Sequence, residues 1–423
     1  MNGGSRSVAT ASDAVGKDGS PSRPRSGIPS PSKGEGQGEG NVVVPRADIA
    51  TFVHLGEQIS HYEAVERKYA GIKMPKSIEQ HAKLIDEKLT DITICDPAVG
   101  SGAFPVGMMT EIVRARCALT PYFNDSHERT PYRFKHDAIQ NCIYGVDIDA
   151  GAVQIAKLCL WLSLVVDEEE TKQVKPLPNL YFKIVSGNSL LGVEKSELEN
   201  WKAVRRLEEL KPLYFDEADS KRKHAYKREI DELLHQLTDG NATFAFEIYF
   251  SEVFHRKGGF DVTIGNPPYV RADADGYAEL REAILDSDRY ETLWEKWDLF
   301  VPFIERAYKL LRPGGVTTMI VSDAFCRSKY AQKPQKWFLA NARVVRLDFC
   351  TDLQIFEAAV HNVIYFFQKA NGAQNIPDRR VHRETFGNVT TLPSEVQPKL
   401  IWFPTLFTAA RSVAPNQRSA ARW

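Results

Sequence analysis

The sequence predicts an α/β protein of the doubly wound, Rossmann-like type, with a mostly parallel sheet, a helical insertion and disordered ends. Three observations carry this prediction. Short β-branched runs alternate with segments of helical periodicity, the first run leads into a glycine-rich turn, and polar residues follow the runs at their carboxyl ends. Ligands bind at this edge of an open parallel sheet, so the same polar residues are the candidate site.

The first predicted strand, residues 92–96, ends in Asp96, and the turn after it reads Pro-Ala-Val-Gly-Ser-Gly-Ala-Phe. The glycines let the backbone approach a ligand closely, and the Asp96 carboxylate can accept a hydrogen bond from a ligand's ammonium group. A lone Gly-x-Gly is weak evidence for a cofactor loop. The longer pattern Asp-Pro-x-x-Gly-x-Gly-x-Phe after such a strand favours a cofactor loop over a purely structural turn. The candidate cofactor-binding residues here are Asp96, Pro97, Ala98, Gly100 and Gly102.

The second predicted strand, residues 142–146, is followed by Asp147, which can accept hydrogen bonds from both ribose hydroxyls of a nucleoside. Asp149 stands where a helix N-cap belongs, and we interpret it as a cap. The helix after it carries the apolar residues Val153, Ile155, Ala156, Leu158, Leu160 and Leu162. After a third strand, Asn188 can contact an adenine edge or close a structural turn, and the sequence leaves both open.

An insertion of about residues 196–250 precedes the next strand, and it contains a charged helix from Asp219 to about Leu237. Basic residues on this helix could contact phosphates. We favour a solvated helix face, because acidic residues are interleaved with the basic ones.

The fourth predicted strand, residues 260–265, closes on Asn266-Pro267-Pro268-Tyr269. An exocyclic amine is a poor nucleophile, and two acceptors activate it: the Asn266 side-chain oxygen and the carbonyl of Pro267. Pro268 stiffens the loop, and Tyr269 offers a ring face on which a planar substrate can stack. The segment therefore predicts methylation of a planar amino group. The alternative is an ordinary turn with a tyrosine in the core.

The remaining predicted elements belong to the scaffold. A helix with apolar spacing covers about residues 300–311, residues 312–315 stop it with Arg-Pro-Gly-Gly, and a strand follows at residues 316–321.

In this order the motifs resemble those of the gamma-class N6-adenine DNA methyltransferases, and most closely the methylase portion of type IIG restriction–modification enzymes, over about residues 45–370. The resemblance implies that S-adenosylmethionine binds at the first three motifs and that a flipped adenine from double-stranded DNA binds at the last. It implies catalytic roles for Asn266, Pro267, Pro268 and Tyr269, with Tyr269 stacking on the base. Phe356 resembles the family's second stacking aromatic, and a buried core residue is the alternative.

The domain prediction follows from composition and from the extent of this resemblance. We expect a disordered low-complexity segment at residues 1–43, a helical lead-in at 44–90, the catalytic domain at 91–370 and a loosely structured tail at 371–423. The lead-in does not contain the family's Phe-x-Thr-Pro-type segment, and no target-recognition domain is recognisable. We therefore hypothesise a fragment of a larger methylase, with recognition or a nuclease supplied by a separate chain.

Two functional alternatives remain open at this stage. One is a catalytically inactive methylase fragment that acts only as a binding or partner subunit. The other is methylation of a different planar amine, such as a protein glutamine or an RNA base, because the same loop can serve those substrates.

Composition narrows the class of protein. The formal net charge of −1 gives no global attraction to DNA, so any duplex contact must come from local patches. The six cysteines form no Cys-x-x-Cys pair, which favours reduced thiols in the cytoplasm and no metal site. No apolar run reaches membrane-spanning length, so we expect no membrane partner.

Overall fold

The computed structural model describes residues 44–64, 71–166, 178–191, 200–238, 244–271, 274–350 and 361–369. Within these residues, seven strands form a single sheet with helices on both faces. No helix in this part of the chain combines the length and the apolar character needed to cross a membrane.

The order of the strands in the sheet is β3-β2-β1-β4-β5-β7-β6. β7 runs antiparallel to its two neighbours, and the other neighbouring pairs are parallel. The predicted doubly wound α/β fold with a mostly parallel sheet is therefore confirmed. The strands are β1 (Ile94–Asp96), β2 (Ile143–Asp147), β3 (Ile184–Ser186), β4 (Phe260–Gly265), β5 (Leu311–Ser322), β6 (Ala342–Phe349) and β7 (Asn362–Lys369).

The helices fall into a lead-in before β1, crossover helices between strands, and an inserted pair between β3 and β4. They are α1 (Arg46–Ala64), α2 (Lys76–Gln80), α3 (Ala82–Asp91), α4 (Ala103–Leu119), α5 (Pro131–Asn141), α6 (Ala150–Val165), α7 (Trp201–Asp216), α8 (Ser220–Leu237), α9 (Phe246–Tyr249), α10 (Ser251–Lys257), α11 (Ala278–Asp286), α12 (Phe300–Lys309), α13 (Ala324–Arg327) and α14 (Gln332–Asn341).

Both faces of the sheet are covered because neighbouring strand residues point to opposite sides. In β1, Ile94 packs into a core formed with α4, α5 and α6. The next residue, Cys95, packs into a core on the opposite face that includes Phe246 and Phe250. A third core joins α12 and α14 to β5, β6 and β7.

The strand order changes direction at β1, which has β2 on one side and β4 on the other. The crossovers that leave β1 and β4 therefore diverge, and a crevice opens between the carboxyl ends of these two strands. The last residue of β1 is Asp96, and the residue after β4 is Asn266. The fold thus brings two predicted site segments together that lie about 170 residues apart in the sequence.

The helix α6 buries only part of the apolar set predicted for it. Val153, Ala156 and Leu160 are buried against the sheet, whereas Ile155 and Leu158 are about half exposed. The buried positions follow a spacing of three and four residues, which places them on one side of the helix.

The strand β5 begins at Leu311 rather than at residue 316. Phe260 pairs with Leu311 and Val262 pairs with Val316, so residues 312–315 form an irregularity inside the strand instead of a stop before it. Gly314 takes a φ of 79° there, which explains why the sequence reads as a helix stop.

The inserted helices α7 and α8 pack against each other, and α7 is joined to the rest of the domain by charged side chains. Glu252 accepts a hydrogen bond from Lys211 at 2.8 Å and forms an ion pair with Lys183 at 3.5 Å. Burial alone would raise the pKa of Glu252, but the two lysines outweigh it and lower the pKa to about 2. Asp219 caps α8 by accepting from the backbone N–H of Arg222.

Basic residues on α8 pair with acidic ones along the chain. Lys227 lies 2.6 Å from Asp231, and Arg222 lies 3.1 Å from Glu217. This pairing agrees with the interpretation of α8 as a solvated, mixed-charge face.

Candidate functional site

The loop between β1 and α4 needs glycine at two positions for different reasons. Gly100 has a φ of 50°, and a Cβ there would meet nothing within 4 Å, so its requirement is conformational. Gly102 has a φ of 86°, and a Cβ there would lie 2.9 Å from the Cα of Ala156. The second glycine therefore lets the start of α4 pack directly on α6, which sets the position of the loop.

Asp96 is buried at the carboxyl end of β1, with 1% of its surface exposed. Its Oδ1 accepts a hydrogen bond from the N–H of Ala98 at 2.9 Å, whereas its Oδ2 is buried and has no hydrogen-bond partner among the described residues. Burial raises the pKa of Asp96 to about 8, and the charge of Asp147 adds to the effect. A buried carboxylate oxygen without a donor is costly, so this atom is suited to a cationic ligand.

Asp147 connects the second strand to the glycine loop. Its Oδ2 accepts from the N–H of Gly100 at 2.8 Å, and its Oδ1 accepts from the N–H of Asp149 at 2.9 Å. Each carboxylate oxygen can accept a second hydrogen bond, so the half-buried side chain can still bind ribose hydroxyls. Asp149 accepts from the N–H of Gly151 at 2.7 Å, which confirms its predicted role as the N-cap of α6.

Asn188 uses its side-chain oxygen in the turn after β3. Its Oδ1 accepts from the N–H groups of Leu190 and Leu191 at 3.0 and 3.1 Å. This is the structural alternative that the sequence left open, and it leaves only the amide nitrogen for contact with an adenine edge.

Ser189 is a residue that sequence reasoning missed. Its buried hydroxyl donates to the carbonyl of Pro97 at 2.7 Å, so it joins the turn after β3 to the glycine loop after β1. A hydroxyl residue directly after the candidate Asn188 was the available signal.

The end of β4 lies against the end of β1. A Cβ on Gly265 would lie 2.7 Å from the Oδ1 of Asp96, so only glycine allows the two strand ends to approach this closely. The next residue is Asn266, whose Oδ1 is buried and has no hydrogen-bond partner within the described ranges. The requirement for glycine at residue 265 was not anticipated, although this residue directly precedes the predicted catalytic asparagine.

Tyr269 is held at its hydroxyl end. Its Oη donates to the carbonyl of Ile320 in β5 at 2.9 Å and accepts from the Nδ2 of Asn362 in β7 at 3.1 Å. Burial raises the pKa of Tyr269, so the phenol stays neutral at neutral pH. Pro267 is buried and Pro268 is exposed, which places the loop between the core and the surface.

A cavity of about 470 Å³ begins at Tyr269 and continues towards β5 and the turn after α13. Asp298 and Tyr330 lie in its wall, and the Tyr330 hydroxyl donates to the Asp298 carboxylate at 2.6 Å. Lys296 is exposed at the same cavity. The predicted second stacking residue, Phe356, lies outside the residues that the structure describes. In the described part of the chain, no group of three or more His, Cys, Asp or Glu residues is placed to hold a metal ion.

Comparison with known protein families assigns the chain to one of them. The family model of the Eco57I restriction-modification methylase matches residues 141–356, which is half of the sequence. The chain belongs to this methylase family. The match includes Asp147, Asn188 and the segment from Asn266 to Tyr269, so it spans three of the four motifs predicted from the sequence.

Members of this methylase family use S-adenosylmethionine as the methyl donor, and the described residues fit that cofactor. The Oδ2 of Asp96, which has no hydrogen-bond partner among the described residues, suits the ammonium group of the cofactor. The glycine loop leaves room for the methionine portion, and Asp147 lies at the strand end where a ribose binds in this kind of sheet.

Individual relatives are distant and longer. The restriction enzyme and methyltransferase RM.Eco57I of Escherichia coli is 23% identical over 78% of this chain and 28% of its own length. The adenine-specific methyltransferase PglX of Streptomyces coelicolor is 22% identical over 66% of this chain and 21% of its own. The solved structure of the type IIL restriction-modification enzyme MmeI in complex with DNA is 13% identical over 76% of this chain and 36% of its own, with a TM-score of 0.42. The chain spans about a quarter of the length of the curated relatives RM.Eco57I and PglX.

Proposed function

We propose that this chain transfers the methyl group of S-adenosylmethionine to the N6 amino group of an adenine that is flipped out of double-stranded DNA. The observation that supports the proposal most strongly is a pair of buried acceptor atoms. Asp96 Oδ2 and Asn266 Oδ1 lie at the ends of neighbouring strands, and neither has a hydrogen-bond partner in the described part of the chain. Two such acceptors, at the place where the strand order changes direction, need two nitrogen donors. A cofactor ammonium and a substrate amine supply them.

The cofactor half of the site is built by the ends of β1 and β2. Asp96 would hold the ammonium group, because its Oδ2 has no hydrogen-bond partner among the described residues while Oδ1 is fixed by the N–H of Ala98. Asp147 would accept hydrogen bonds from the ribose hydroxyls. Its hydrogen bond from the N–H of Gly100 fixes the glycine loop relative to the ribose position. When bound, S-adenosylmethionine supplies an electrophilic methyl carbon.

The acceptor half is built by the loop after β4. Asn266 Oδ1 and the carbonyl of Pro267 would each accept one N–H of the amino group, which holds the nitrogen in place and stabilises the positive charge that develops on it. The two acceptors are fixed dipoles in a buried site, so the step needs no titrating base. The amino proton that is lost leaves to water after the transfer.

Tyr269 would hold the plane of the base. Its hydroxyl is fixed by Ile320 and Asn362, so its ring keeps one orientation beside the 470 Å³ cavity. An adenine inside a duplex cannot reach a buried amino-group site, which is why we infer that the base is extruded. A second stacking contact by Phe356 remains part of the proposal.

Adenine and DNA enter the proposal from the relatives. The name of PglX describes an adenine-specific methyltransferase, and that of RM.Eco57I describes a restriction enzyme with a methyltransferase. Recognition of the target sequence by a further region or by a separate chain belongs to the same proposal.

The test is the identity of the methylated atom. The full chain is incubated with DNA, RNA and protein in parallel, with S-adenosylmethionine that carries an isotope label in its methyl group, and the digested products are separated by mass spectrometry. We expect label in N6-methyladenine from DNA. In Asn266→Ala we expect a loss of about 10²-fold or more in rate, with cofactor binding nearly unchanged. Label in cytosine, RNA or protein, or retained turnover in Asn266→Ala, would overturn the proposal.

A further inference from the structure

A second cavity, of about 430 Å³, lies outside the methyl-transfer site, between α6, the turn Leu180–Phe182 and α8. Its lining combines apolar and polar side chains. The apolar floor is defined here as Val153, Phe182, Val185 and Leu234, and the polar lining residues include Lys157, Tyr181 and Asp231. The size is that of a cavity which binds a small organic molecule.

Lys157 is the unusual residue of this cavity. Only 5% of its surface is exposed, and it lines the cavity. Within the described residues, no carboxylate or carbonyl oxygen pairs with its ammonium group. The ring of Tyr181 lies beside it, with Nζ 5.0 Å from the centroid. Burial lowers the pKa of Lys157 to about 8, and the positive charge of Lys227 adds to this shift.

The other charged groups around the cavity are already paired. Lys227 lies 4.3 Å over the same Tyr181 ring and forms an ion pair with Asp231 at 2.6 Å. Burial raises the pKa of Tyr249, which stays neutral. The three charges of Lys157, Lys227 and Asp231 therefore sum to one positive charge, and that charge is on Lys157.

We propose that this cavity is a binding site for a small organic monoanion, whose oxyanion pairs with Lys157 and whose apolar body lies on the floor of the cavity. Partial desolvation of this ammonium group without an anionic partner is unfavourable, and an incoming oxyanion offsets it with a charge-assisted hydrogen bond. The apolar floor adds the burial of the ligand's carbon atoms.

The position of the site connects it to the insertion. α8 belongs to the inserted pair of helices, whereas α6 follows β2 and starts beside Asp147. Ser186, which also lines the cavity, pairs in register with Asp147. A bound anion would therefore join the insertion to the strand ends that hold the cofactor.

The first experiment is calorimetric titration of the full chain with benzoate and with benzamide, which have the same shape and differ in charge. We expect benzoate to bind, benzamide to bind about tenfold more weakly or not at all, and Lys157→Met to lose the preference for benzoate. Lys221→Met is the matched control, because it removes one positive charge from an exposed position of α8 and should change nothing. Equal binding of the two probes, no binding of benzoate, or unchanged binding in Lys157→Met would overturn the proposal.

The source of the anion follows from a competition arm. We expect the dinucleotide TpT not to displace benzoate, and displacement by TpT would overturn the small-anion proposal in favour of a nucleic-acid backbone.

A second readout uses the unmodified protein and does not depend on the folding of a variant or on methyl transfer. Near about pH 8 a large fraction of Lys157 is neutral and nucleophilic, so a limiting amine-reactive reagent should label it ahead of Lys221, and benzoate should protect it. Peptide mass spectrometry measures both effects. Labelling of Lys157 that benzoate does not slow would contradict the proposed anion site.

Discussion

The pKa of Asp96 makes cofactor binding a proton-linked event. In the free protein, burial keeps the pKa of this carboxyl at about 8, so the group carries a proton at neutral pH. An ammonium group placed on Oδ2 favours the ionised form and returns the pKa towards its ordinary value. Binding of S-adenosylmethionine should therefore release the Asp96 proton.

The number of protons released and the pH dependence of the affinity follow from the two protonation states of Asp96. With a pKa of about 8, roughly nine tenths of the Asp96 carboxyls are protonated at about pH 7, so binding should release about 0.9 proton. Ionisation at that pH costs about 1.4 kcal/mol, which means that affinity should rise about tenfold from pH 6 to pH 7. The cofactor's α-amino group stays largely protonated below about pH 7.5, so its own titration does not cancel the effect.

The assay is calorimetric titration with S-adenosylmethionine in buffers that differ in ionisation enthalpy, since the apparent enthalpy then varies in proportion to the protons released. Asp96→Asn is the control, because Asn keeps an oxygen for the N–H of Ala98 and has no proton to release. We expect weaker binding and no proton release in that variant. Proton release near zero in the unmodified protein, or equal release in Asp96→Asn, would refute the assignment of Asp96.

Three further predictions concern the fold and the substrate loop. Gly102→Ala should lower the free energy of unfolding by about 1–3 kcal/mol, measured by urea denaturation, because its Cβ would lie 2.9 Å from Ala156; an unchanged midpoint would contradict this. Tyr269→Phe should keep cofactor affinity and reduce transfer in single-turnover kinetics, because the ring loses its bond from Asn362; an unchanged rate would count against a fixed ring. Glu252, with a pKa of about 2 against an ordinary 4.5, should stabilise the fold above about pH 4.5 and lose that contribution as the pH falls towards 2, whereas Glu252→Gln should flatten this dependence in acid unfolding curves.

Local sequence patterns were sufficient to predict the ends of the strands and most of the helices and strands around them. The β-branched runs before Asp96, Asp147 and Asn266 became neighbouring parallel strands, because a short apolar run that ends in a polar residue has one stable place in a doubly wound sheet. Asp149 was recognisable as a cap because its side chain bonds within its own turn.

Contacts between distant segments were not predictable in the same way. The approach of Gly265 to Asp96 and the bond from Ser189 to Pro97 join segments that are far apart in sequence, so no local pattern encodes them. Local rules also misplaced the start of β5, since the glycines that read as a helix stop form an irregularity after the Leu311 pairing. The unpartnered ammonium of Lys157 likewise arises only when α8 packs beside α6.

The most direct test of the account is a crystal structure of the chain with S-adenosylmethionine. We predict that the amino nitrogen of the cofactor lies about 2.7–2.9 Å from Oδ2 of Asp96, with the methyl group directed at the space beside Oδ1 of Asn266. An amino group bound elsewhere, or a methyl group that points away from Asn266, would contradict the central claim that these two buried oxygens hold the donor and the acceptor of one transfer.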